Sequence, residues 1–149
     1  MSRERPRASL CVVATIVCGV DDSPGAVEAV RVARIISADF DVRLVLAHVA
    51  GGWASDVGES VTTSQARQGG NRLLEDASRE HSPEAERRVE IGEPAETLAR
   101  IAVEEGATLI VVGSRREGWR RPRIRSGVAG DLAVTAPCPV VVVPPPARR

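Results

Sequence analysis

Lysine and tyrosine are both missing from this 149-residue chain. Its positive charge therefore rests on arginine alone, and its rings are only Trp53, Trp119 and Phe40. So few aromatics exclude a platform on which successive bases stack. Val, Ile, Leu and Ala must fill the interior, which suits a sheet covered by helices on both faces. A surplus of charge is missing too, since 20 acidic residues balance 20 basic ones. General nucleic-acid binders gain affinity by neutralising phosphates, so the even balance argues against that class. Cysteine is scarce: Cys11, Cys18 and Cys138 are odd in number and lack metal-ligand spacing, and two lie in apolar runs, so they read as buried reduced thiols. No metal site is expected. No apolar stretch reaches the roughly 18 residues of a membrane-spanning helix. Arg3, Arg5 and Arg7 ahead of the apolar run 8–20 imitate a secretory leader. Asp21 and Asp22 stand where a cleavage site needs small residues, so a cytoplasmic location is expected.

What is present is an alternation of strand and helix patterns. Leu10 to Val20 is a nearly continuous apolar run, the mark of a strand buried on both faces. Ser23-Pro24 follows as N-cap and first helical residue, with Ala26, Ala29, Val30, Ala33 and Ile36 forming one stripe. Asp41 to Val49 reads as the second strand. A weak helix follows, interrupted by Gly69-Gly70 and striped by Leu73, Leu74 and Ala77. Glu86 to Ile91 alternates charged and apolar residues as an edge strand does. Pro94 opens a helix striped by Ala95, Leu98, Ile101 and Ala102, and Ala107 to Val112 is a second strand, apolar but for Thr108. A basic loop, a short helix near Ser126 to Thr135 and a last strand over Val140 to Val143 complete the chain. Strands joined by helices pair in parallel through right-handed crossovers. The expected fold is a single three-layer α/β/α domain over 9–144, with a five-stranded parallel sheet in the order 3-2-1-4-5. Residues 1–8 and 145–149 read as flexible tails. The order reverses between the first and fourth strands, so the turns after Val20 and Val112 should share a ligand crevice.

Four segments carry a family resemblance. GVDDSPG spans Gly19 to Gly25, EIGEP spans Glu90 to Pro94, LIVVGSR spans Leu109 to Arg115 and APCPVVVVP spans Ala136 to Pro144. With DVRLVLAHV between the first two, this set resembles the universal stress protein family from about Val12 to Pro144. The resemblance implies a Rossmann-like fold of the adenine nucleotide alpha hydrolase type. It also implies a small stress-response regulator binding ATP or AMP, with Mg2+ accompanying ATP, and little or no turnover. The nucleotide-binding positions that match are Asp21, Val49, Gly113, Ser114 and Val128. Binders in the family follow the first loop glycine by two residues, a glycine, nine residues and then glycine with serine or threonine. Such glycines let backbone N–H groups close around phosphate oxygens. Here Arg116 occupies the second glycine position, and the final pair reads Ser126-Gly127, inverted. Losing one charge-assisted hydrogen bond at each of two sites would remove roughly 1.5–3 kcal/mol per site. Arg115 and Arg116 are candidate phosphate contacts that offset part of this loss.

The rival reading is a dimeric scaffold of the same fold that binds no nucleotide, leaving the cofactor list empty. The arginine-rich loop from Arg115 to Arg125 is then a solvated surface. Asp21 reads either as an adenine-recognising carboxylate or as a helix-capping acid, and His48 as a hydrogen-bonded core residue. The carboxylates form no acid/base pair and no serine sits in a nucleophile elbow, so no catalytic residue is assigned and weak ATP hydrolysis is the most expected. Val140, Val141, Val142 and Val143 form an uncharged edge that invites pairing with a second copy. The resemblance implies the same homodimer, and an unidentified protein client is a further partner. Flanking Pro137, Pro139 and Pro144 support the opposite outcome, a monomer.

Overall fold

The computed structural model describes residues 14–50, 62–114 and 127–147. Within them the chain runs β1 (Thr15–Gly19), α1 (Pro24–Phe40), β2 (Arg43–Ala50), α2 (Thr63–His81), β3 (Glu86–Ile91), α3 (Pro94–Glu105), β4 (Ala107–Gly113), α4 (Val128–Thr135) and β5 (Val140–Val143). All strand pairs are parallel, in the order β3-β2-β1-β4-β5 expected from the apolar runs. Gly19 lies opposite Ala47 on one side and Val112 on the other, which places β1 at the centre.

Successive side chains of a strand point to opposite faces, so a two-sided apolar strand feeds two cores. Ile16 and Cys18 join Leu44, Leu46 and Val111 beneath the Ala26, Ala29, Val30 and Ala33 stripe of α1 and Leu74 of α2. Val17, Val45, Ala47, Ile110 and Val112 face Ala95, Leu98, Ile101 and Ala102 of α3 and Leu132 of α4. Cys18 is wholly buried, and burial pushes its thiol up to about 12 from 9.0.

Two local readings change. Asp41 does not begin β2: it caps α1 in the left-handed region at φ 51°, and β2 starts at Arg43. The Gly69-Gly70 pair does not interrupt α2, which runs unbroken for 19 residues from a capping box made by Thr62 and Gln65. Its buried stripe is Gly70, Leu74 and Ser78, spaced by four, and two of these are too small to register as apolar pattern. A Cβ on Gly70 would stand 2.8 Å from His48 Cδ2 and 2.9 Å from Val89 Cγ1, so the glycine is what lets α2 approach the sheet. The last helix, expected near Ser126 to Thr135, runs from Val128 to Thr135 with Gly127 at its N-cap.

Charged side chains fasten α3 to β2 and β3. Arg43 holds Glu86 through Nε at 2.7 Å and Glu105 through Nη2 at 2.7 Å. Arg88 bonds Glu90 at 3.0 Å, Glu105 at 3.1 Å and Glu104, while Arg100 reaches Glu104 at 2.8 Å. Hydrogen bonds from Arg88 and Arg100 hold the Glu104 carboxyl below its ordinary range.

Candidate functional site

The carboxyl edge of the sheet is organised by the end of β1. Val20 continues to be held by β2 after the strand ends: its N–H donates to Ala47 O at 2.8 Å. Its carbonyl accepts from His48 Nδ1 at 2.7 Å, which agrees with the expected hydrogen-bonded core histidine. The chain then turns at half-buried Asp21. Asp21 Oδ1 accepts from the Ser23 N–H at 2.9 Å and from the Ser23 hydroxyl. Ser23 holds the N-cap position, yet its side chain makes no capping bond, because the hydroxyl is turned back to Asp21. The D-x-S spacing that makes an Asx turn was the available signal for the backbone half of this pairing, the Ser23 N–H bond.

Asp21 and Gly113 stand at the same edge of neighbouring strands, as the topology requires. The turn into α1 crosses the end of β4 so closely that neither glycine tolerates a side chain. A Cβ on Gly113 would lie 2.6 Å from Gly25 O and 2.8 Å from Ala26 N, and one on Gly25 would lie 2.8 Å from Ser114 O. Gly113 is therefore demanded by packing, apart from any ligand. The Ser114 N–H donates to Val143 O at 2.8 Å, extending the β4–β5 ladder. Val49, opposite Glu90 near the end of β2, and Val128, first residue of α4, are half-buried beside the α3–α4 core.

The helices starting at this edge differ in how their first turns are satisfied. The Glu93 carboxylate accepts from Ala95 N–H at 3.2 Å and Glu96 N–H at 2.7 Å, filling the start of α3. Among the described residues, no side chain caps α4 at Gly127. Arg115, Arg116 and Ser126 lie outside the described residues. Among the described residues, no three His, Cys, Asp or Glu side chains are grouped to hold a metal ion. No described helix is long and apolar enough to cross a membrane.

A parallel sheet whose strand order reverses between β1 and β4 defines the doubly wound, Rossmann-like class. The family model described as "Universal stress protein family" matches residues 13–144. The chain belongs to the universal stress protein family. A protein of that family from Burkholderia pseudomallei is similar at 28% identity and TM-score 0.70, over 90% of this chain and 97% of that one. A universal stress protein from Archaeoglobus fulgidus, solved in complex with dAMP, is 22% identical with TM-score 0.63, over 87% and 97%. Another universal stress protein, solved in complex with cAMP, is 22% identical with TM-score 0.66, over 90% and 98%. A comparison with curated proteins finds no match.

Proposed function

We propose that this universal stress protein binds an adenine nucleotide, ATP or AMP, in the crevice between β1 and β4, acting as a cytoplasmic regulator with little or no turnover. The observation that carries the reading is the shared edge on which Asp21 and Gly113 stand, bound together by the Gly25–Gly113 approach. Asp21 and Val49 would receive the adenosine end. Gly113, Ser114 and the start of α4 at Val128 would receive phosphate, with Arg115 and Arg116 as added contacts. Two fold relatives carry dAMP and cAMP, which supports an adenine ligand. Mg2+ would arrive on the phosphates of ATP, since among the described residues no three His, Cys, Asp or Glu side chains are grouped.

A second reading, a nucleotide-free dimeric scaffold for a protein client, draws support from the same residues. Gly113 is already required by packing, and the Ser114 N–H is already spent on Val143. Arg116 and Ser126 replace two of the loop glycines. Isothermal titration of ATP and AMP with Mg2+ separates the two. Under the first reading, binding is tighter than about 1 mM, a free energy of about −4 kcal/mol. Silence up to several millimolar gives the case to the scaffold. Arg116→Gly then reports the arginine's part: affinity falls where Arg116 contacts phosphate and rises where the missing glycine was limiting.

A further inference from the structure

We propose that His48 is the positioning residue for the Asp21 turn. Hydrogen bonding between β1 and β2 in strand register ends at Gly19 opposite Ala47. Asp21 is two residues further on, beyond the last pair of that ladder. Two bonds tie the intervening Val20 to β2, one from its N–H to Ala47 O and one to its carbonyl from His48 Nδ1 at 2.7 Å. The second is a side-chain bond, so it depends on the identity of residue 48 in a way the first does not. Fixing the Val20 carbonyl fixes the peptide plane that leads into Asp21, and Asp21 in turn holds Ser23.

The ring itself is held from the other side. Gly70 of α2 faces His48 Cδ2, and Val89 of β3 stands opposite His48 in the ladder. A side chain in place of Gly70 would displace the imidazole or the helix. Gly70, His48, Val20, Asp21 and Ser23 thus form one continuous contact path from α2 across the sheet to the start of α1. Its effect on ATP affinity rests on the nucleotide reading above; its effect on the Asp21 turn does not.

Two variants of the full chain test this. Asparagine carries a nitrogen two bonds from Cβ, as Nδ1 is, so His48→Asn keeps a donor where the carbonyl needs one. His48→Leu fills similar space without a donor. The readouts are the exchange rate of the Ser23 amide relative to amides inside β1, and the ATP dissociation constant. In His48→Leu the Ser23 amide should exchange about tenfold faster relative to β1, the equivalent of one lost hydrogen bond. ATP should bind about tenfold more weakly, and His48→Asn should stay within about twofold of wild type on both. General loosening moves the β1 amides as well and leaves their ratio to Ser23 unchanged, which overturns the proposal. A wild-type Ser23 rate in His48→Leu also overturns it. If wild type binds no ATP, the nucleotide reading fails, and the contrast between Leu and Asn at the Ser23 amide still decides the role of His48.

Discussion

Cys18 illustrates how far an absence in the composition reaches into the behaviour of a single residue. Its thiol is fully buried in β1, and its folded pKa is raised from 9.0 to about 12 by desolvation. Between those values the unfolded chain has released the proton and the folded one retains it. The folded state then binds more protons, so stability present below pH 9 is lost as pH rises towards 12. The slope from one such thiol is at most about 1.4 kcal/mol per pH unit. Lysine and tyrosine, which ordinarily titrate in this window and hide such a slope, do not occur here. Cys138, half-buried and shifted the same way, adds to the fall. Urea midpoints from pH 8 to 10.5 should therefore decline in wild type. Cys18→Ala should start about 1–2 kcal/mol lower from its cavity and decline less steeply. Equal slopes in the two proteins would show that Cys18 is not the source. The burial of Cys18 was legible in the apolar run around it. The turn of the Ser23 hydroxyl towards Asp21 was not, because N-cap preference describes the position and not the competing acceptor two residues upstream.

At the scale of elements, the adjacent glycines of α2 make opposite predictions. Both lower intrinsic helix propensity by about 1 kcal/mol relative to alanine. Gly69 is exposed and a Cβ there meets nothing within 4 Å, so Gly69→Ala should stabilise by roughly 0.4–1 kcal/mol. At Gly70 the same methyl would press on His48 and Val89, and overpacking of about 1–3 kcal/mol should exceed the propensity gain. Denaturant midpoints of the two variants should move in opposite directions; a common direction would mean that α2 does not sit against β2 and β3 as described. The contrast explains why α2 was the poorest reading in the sequence. Propensity counts a glycine as a weakness in its own helix, whereas the reason for Gly70 lies in β2 and β3. The same distance in sequence hid the ion pairs of α3. Arg43 meets Glu105 62 residues later, and no local pattern ties them together. The apolar stripes of α1 and α3, by contrast, repeat within one element and were readable residue by residue.

The whole molecule was the most legible level, since two strands apolar on both sides leave little choice about what lies in the centre. Placing β1 and β4 there makes β3 and β5 the edges, and these edges are unlike. β3 carries Glu86, Arg87, Arg88 and Glu90, charges that discourage a further strand from pairing. β5 is Val140-Val141-Val142-Val143 without a charge, and Val142 is 44% exposed. If a second copy covers one edge, the asymmetry selects β5, and a twofold axis would set the two final strands side by side. Pro139 and Pro144 bracket the strand rather than interrupt it, leaving its four residues able to pair. Light scattering of wild type should give about twice the 15.8 kDa chain mass. The probe for the edge is Val142→Arg and not Val141→Arg, because Val141 packs on the α1 core and its loss would confuse association with folding. The Val142 variant should scatter as a single chain with its helical circular dichroism retained. A variant that keeps the doubled mass would move the contact away from β5. A wild type that is already single would mean that the bracketing prolines are sufficient to keep this uncharged edge from pairing.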